Sequence, residues 1–213
     1  MIKRPPIFPA TYSETIYQNI KQAILSGDFG AKKRIYENEI AKFFNVSLTP
    51  VREAIRRLSG EKYLIVNARK EIIVASASLK EVKELYEVVG FLDYQAIIKA
   101  IDHLASQDMR ELIRMTENLK KVLSLKKADD YLNLNFKIHD KIWRACSNQF
   151  LYQTLSQLAE KIRIYSKQGI SPYPEEASLK RSYADHRELL KAMELIDKKA
   201  LKEIVSRHWY LPY

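Results

Sequence analysis

The sequence predicts a mainly α-helical chain in two parts, on three observations. Short helical patterns fill the stretch before residue 60. β-branched runs occur at Tyr63-Leu64-Ile65-Val66 and Ile72-Ile73-Val74, flanking a short polar segment, which reads as one hairpin. Beyond Ala75 no period-two run of Val, Ile or Thr recurs, and the connections are short, so the rest reads as a bundle of antiparallel helices.

Residues 1–10 are proline-rich and read as an extended arm. Ile16, Ile20, Ala23 and Ile24 mark a first amphipathic helix, which Gly27-Asp28-Phe29-Gly30 ends. Tyr36 to Phe44 is a short helix with Ile40, Ala41 and Phe44 inward, and Asn45-Val46-Ser47 is a tight connection. The following helix carries Val51, Ala54, Ile55 and Leu58 at i, i+3, i+4, i+7, with Ser47 as expected N-cap and Pro50 in the first turn. Thr49, Arg52 and Arg56 share a different face.

Two helices joined by a tight turn, with a basic-tipped hairpin after them, read as a winged helix-turn-helix. A helix with a buried base and a Thr/Arg/Arg edge suits the major groove of DNA. Ser47, Thr49, Arg52, Arg56, Arg57, Arg69 and Lys70 are the expected DNA-binding residues, with Arg57, Arg69 and Lys70 on phosphates. Charge agrees. The 213 residues carry a net +10, and residues 1–76 hold 13 basic against 7 acidic side chains, leaving 23 against 19 for the other 137. One cysteine, Cys146, excludes an internal disulfide framework and suits a reducing compartment. No apolar run approaches the ~20 residues of a membrane span, and no signal-peptide core follows Lys3-Arg4, so a cytoplasmic protein without membrane contact is expected.

Ser78-Leu79-Lys80-Glu81 has capping-box spacing and opens a long helix to about residue 104. Further helices are expected over 108–125, 129–146, 150–167, 179–195 and 198–209, with one long loop at 169–176. The expected domains are 1–75, binding DNA, and 78–213, binding an effector and dimerising. His139, His186 and His208 each lie on the apolar stripe of a different helix. Spacing alone leaves them as hydrogen-bonded core histidines or as ligands. Asp140 and Asp185 adjoin two of them in sequence and are expected to point off those stripes, so no general base is evident and an enzyme is not expected.

With these residues placed, the chain resembles the GntR family of bacterial transcription regulators, in the branch with an all-helical FadR-type effector domain. Val46-Ser47-Leu48-Thr49-Pro50-Val51-Arg52-Glu53-Ala54-Ile55-Arg56-Arg57-Leu58 matches the family's reading helix. Leu48 stands where that branch usually offers an arginine, and Asn38 where some members place another. Lys62-Tyr63 replaces a glycine-containing turn.

In the second half the resemblance rests on His139 with Ile142, Ala145 and Asn148, on Asp185-His186-Arg187-Glu188-Leu189-Leu190, and on His208, 22 residues after His186. It implies a metal constellation of Asn135, His139, His186 and His208, with Asn135 in the place of the family's aspartate. The implied ion is a divalent metal, zinc or nickel. An effector pocket beside it is expected to take a small anionic metabolite such as a carboxylate, with Ser182 and Arg163 as candidates to face it, although Arg163 reads equally as a surface charge. The expectation is a ligand-responsive repressor of a metabolic operon, acting as a homodimer on a double-stranded DNA operator. The alternatives are an effector domain that senses a small molecule without metal and, more remotely, a metal-dependent enzyme.

Overall fold

The computed structural model describes residues 11–69, 71–169 and 176–210. The proline-rich arm, Lys70, most of the long loop and the last three residues lie outside them. The chain divides into two compact units, Met1–Ser76 and Ala77–Tyr213.

In the first unit, α1 (Tyr12–Ser26) is capped by Thr11, whose side chain accepts from the Glu14 amide, and ends on Gly27 at φ 91°. After it come β1 (Arg34–Ile35), α2 (Glu37–Phe44), α3 (Leu48–Gly60), β2 (Leu64–Val66) and β3 (Ile72–Val74). The three strands form one antiparallel sheet in the order β1-β3-β2. The α2–α3 turn is made by Asn45 at φ 52°, a left-handed conformation that asparagine adopts more readily than most residues. Val51, Ala54, Ile55 and Leu58 are all buried, so the apolar stripe of α3 is the face that seats it against α1.

Two details differ from the sequence reading. β1 pairs with β3, giving the hairpin a third strand. Ser47 occupies the N-cap of α3, but its hydroxyl makes no capping bond. An N-cap side chain accepts from the second or third amide of the helix, and here the third residue is Pro50, which has none.

The second unit holds α4 (Leu79–Ile101), α5 (Ser106–Ser124), α6 (Ala128–Ala145), α7 (Gln149–Lys167), α8 (Glu176–Glu194) and α9 (Lys198–His208). α4 begins with the full capping box: Ser78 Oγ accepts from the Glu81 amide at 3.2 Å, and Glu81 accepts from the Ser78 amide at 2.7 Å. α4 packs on α6, α7 and α9, while α8 packs on α5 and α9. Leu112, Ile138, Ile142, Trp143, Leu155 and Leu201 are among the side chains closing the core between them. No helix among the described residues is long and apolar enough to cross a membrane.

Candidate functional sites

In the first unit, Ser47, Thr49, Arg52, Arg56 and Arg57 are exposed on α3, and Arg69 is exposed at the β2–β3 turn. The structure does not treat the arginines alike. Arg57 Nη1 donates to Glu14 at 2.6 Å and its Nε to Glu61 at 3.2 Å, and the guanidinium lies 3.7 Å from the Tyr17 ring centre. Tyr17 in turn donates to Glu61 at 2.7 Å. Arg57 therefore ties α3 to α1. Arg52 Nε donates to Glu37 in the first turn of α2 at 2.9 Å, leaving its guanidinium largely in solvent. Arg56 has no ion pair among the described residues. At the turn between the strands, Asn67 Oδ1 accepts from the Arg69 and Glu71 amides at 3.0 Å, and Arg34 pairs with Glu71. Lys70 lies outside the described residues.

In the second unit, α6, α8 and α9 bring His139, His186 and His208 together in the buried interior. His139 Nε2 lies 3.2 Å from His186 Nε2 and 3.2 Å from His208 Nε2. The other ring nitrogen of each faces an acceptor. His186 Nδ1 lies 2.7 Å from the Ser182 carbonyl, which can only accept, so that nitrogen carries its proton. His139 Nδ1 faces Asp93 Oδ1 and His208 Nδ1 faces Asp185 Oδ2, each at 3.5 Å.

Burial, followed by the repulsion it would meet from protonated His208 and His139, holds the His186 pKa well below the usual histidine value, against its bond to the Ser182 carbonyl. Burial also lowers that of His208, against the pull of Asp185. Burial works to raise the pKa of Asp93, but the attraction of the neighbouring His139 imidazole and the bonds from Trp143 and Trp209 bring it below the ordinary aspartate value.

The carboxylates facing His139 and His208 favour Nδ1–H on those rings as well, and in that tautomer three Nε2 lone pairs face one another. Lone pairs repel, so that tautomer calls for a cation between them, whereas an Nε2–H on one ring would donate to its neighbour without an ion. A tetrahedral ion with metal–nitrogen bonds of 2.0–2.1 Å places its ligand atoms roughly 3.3 Å apart, close to the spacing found. A proton on His139, shared between the other two Nε2 atoms, also satisfies it. The chemistry of the donor set fits zinc, nickel or a neighbouring first-row ion.

Asn135 is buried one turn before His139, and its Oδ1 accepts from Ser182 Oγ at 3.2 Å. With His208, Ser166, Tyr86, Ile162 and Trp209 it lines a cavity of about 10 Å³, room for one water molecule. Ser166 Oγ is buried there without a hydrogen-bond partner among the described residues. Tyr86 and Trp209 also wall a larger open groove of about 700 Å³ between α4 and α9. Arg163 is not at the cavity. Its Nη2 donates to Asn133 at 2.9 Å, and the guanidinium lies 5.7 Å from the Phe136 ring centre.

Sequence reasoning missed two acidic residues. Asp185 does not point away from the histidines: it is buried and backs His208 across the α8–α9 contact, while Arg207 Nη2 pairs with it at 2.7 Å. Asp140 does point outward, to Arg144 at 2.6 Å. Asp93 is fully buried on α4 behind His139. Its signal was present as a carboxylate in register with Val82, Tyr86, Val89, Ala96 and Ile97.

Residues 12–74 match the bacterial regulatory proteins of the gntR family, and residues 84–210 match the FCD domain. Among curated proteins, the uncharacterized HTH-type transcriptional regulator YdhC of Bacillus subtilis is 26% identical over 94% of this chain and 89% of its own length. The gluconate operon transcriptional repressor of the same organism is 25% identical over 83% of this chain and 70% of its own. The solved structure of Escherichia coli McbR/YncC shares the fold, with a TM-score of 0.75 at 20% identity, covering 94% of both chains. The chain belongs to the GntR family of DNA-binding transcription regulators, not enzymes, in the FadR-type branch whose C-terminal domain is an FCD domain.

Proposed function

We propose that this regulator is a ligand-responsive repressor of a metabolic operon, with DNA-binding residues 1–75 and residues 78–213 forming a metal-holding, effector-binding and dimerising domain. The observation that carries the metal reading is the convergence of three buried imidazoles, with His139 Nε2 3.2 Å from the Nε2 atoms of both His186 and His208. His139, His186 and His208 would hold a divalent ion, with Asn135 beside it, and the ion would supply a Lewis-acidic position for an anionic ligand. Ser166, Asn135 and Tyr86 would offer the ligand polar contacts, and Ser182 acts through Asn135 and His186. The groove walled by Tyr86 and Trp209 is the approach. Arg163 has no part in this reading.

On DNA, Thr49, Arg52 and Arg56 would read base edges in the major groove, with Ser47 and Arg69 on phosphates and Arg57 chiefly bracing α3. Two copies would meet two half-sites, and the effector would shift the population between DNA-competent and incompetent dimers. Repression of a metabolic operon is supported by the gluconate operon repressors among the relatives.

A second reading, a proton on His139 in place of the ion, is favoured by the two equal 3.2 Å contacts from one nitrogen. Metal content of untagged protein purified without chelator, measured by plasma mass spectrometry beside a His139→Ala control, separates them. Near-stoichiometric zinc or nickel that vanishes in the control supports the metal reading. No metal, with added ions failing to raise the melting temperature, overturns it in favour of the proton.

A further inference from the structure

Three neutral imidazoles and an asparagine carbonyl give a divalent ion no negative ligand. An uncompensated double charge in a dry interior is strongly unfavourable. The fold supplies a counter-charge one imidazole away. Asp93 Oδ1 accepts from Trp143 Nε1 at 2.5 Å, and Oδ2 accepts from Trp209 Nε1 at 2.7 Å. Oδ1 also faces His139 Nδ1 at 3.5 Å. Both indoles are obligate N–H donors, which suits a carboxylate at Asp93.

Among the described residues no lysine or arginine pairs with Asp93. Asp185 differs, because Arg207, which Glu188 shares at 2.8 Å, donates to its Oδ1 through Nε at 2.8 Å. Of the two carboxylates behind the triad, Asp93 is the one with no arginine or lysine against it among the described residues. A buried unpaired anion and a buried dication on opposite sides of one ring compensate each other.

Resting on the metal reading above, we propose that Asp93 is the charge-balancing and positioning residue of the metal centre. It fixes the Nδ1–H tautomer of His139, which aims the Nε2 lone pair at the ion, and it supplies the charge that Asn135 lacks. The two indoles hold its oxygens in place.

The test is zinc affinity by chelator competition on the full chain, with far-UV circular dichroism to check folding and cobalt substitution to read ligand geometry. Asp93→Asn is expected to bind zinc roughly 10- to 100-fold more weakly. Asp93→Glu, which keeps the charge, is expected to stay closer to the parent. Asp93→Asn combined with Asn135→Asp is expected to recover at least about tenfold over Asp93→Asn alone, because the charge returns as a ligand oxygen. Asn135→Asp in the parent background is the control: a larger gain in the Asp93→Asn background marks shared charge, and equal gains in both mark a merely structural role at position 93 and overturn the proposal.

Parent-like zinc affinity in Asp93→Asn overturns the proposal. So does a helical double variant without recovery, which decides the matter if Asp93→Asn alone fails to fold. A parent chain that binds no zinc overturns the metal reading itself, and this inference with it.

Discussion

Trp209 Nε1 donates to Asp93 Oδ2 at 2.7 Å across 116 positions of sequence, clamping the end of α9 onto the middle of α4. Phenylalanine in place of Trp209 keeps most of the apolar area but removes the donor from a buried carboxylate. The expected loss is about 1–3 kcal/mol of unfolding free energy, read as a lower urea midpoint with an unchanged slope. A midpoint within error of the parent would show that the clamp adds nothing to stability.

Gly90 owes its identity to the same indole. A Cβ at position 90 would stand 3.0 Å from Trp209 Cβ. Alanine is the better helix former by about 0.8–1 kcal/mol, which on an open helix face would raise stability. Here the tryptophan must give way, and its bond to Asp93 resists that, so overpacking, at about 1–3 kcal/mol, outweighs the gain in helix propensity. Gly90→Ala is expected to lower the melting temperature, and a rise would mean that α9 slides freely on α4.

How much of this could be read in advance depends on whether the cause is local. The stripe Val51, Ala54, Ile55, Leu58 and the three inward histidines are periodicities within single helices, and all seven side chains are buried. β1 is two residues long and exists only because β3 pairs with it, a non-local event with no run of β-branched residues to announce it. Ser47 has the N-cap composition, but proline as the third helical residue removes one of the two amides its hydroxyl could use. Asp185 was misjudged because adjacency along one helix says nothing about the facing helix, where His208 sits. Asp93 was the more legible of the two. A carboxylate on a buried stripe needs a partner, and its partner is on α6.

The triad makes stability depend on pH in a predictable direction. His186 and His208 stay neutral in the folded chain at pH values where the unfolded chain binds protons on both. Below about pH 6.5 the unfolded state therefore holds more protons, and stability falls as pH drops, by up to about 1.4 kcal/mol per pH unit for each histidine. Asp93 and Asp185 have lowered pKa values, so what they contribute is complete above the ordinary aspartate range and does not change between pH 5.5 and 7.5. Metal-free protein is expected to show a urea midpoint that declines steadily from pH 7 to 5.5. A flat profile would mean that the histidines are protonated in the folded state.

The pairing of Arg52 with Glu37 sets up a competition at the DNA surface. Arg52 lies in the N-terminal half of α3, the proposed reading helix, and Glu37 accepts from its Nε at 2.9 Å. Two effects oppose each other when Glu37 becomes glutamine: the arginine loses an orienting partner, and the surface loses a negative charge. The pair is largely solvent-exposed on the arginine side, so the orienting contribution is worth at most about 1 kcal/mol. Phosphates meet the removed charge at full strength in low salt. Glu37→Gln is therefore expected to bind duplex DNA about 2- to 10-fold more tightly near 50 mM salt, the gain shrinking as salt approaches 300 mM. Arg52→Ala is expected to abolish discrimination between operator and unrelated duplex while leaving the helical content unchanged. Anisotropy titrations across salt measure both variants. Weaker binding by Glu37→Gln at every salt concentration would reverse the assignment and make Glu37 the residue that aims Arg52 into the groove.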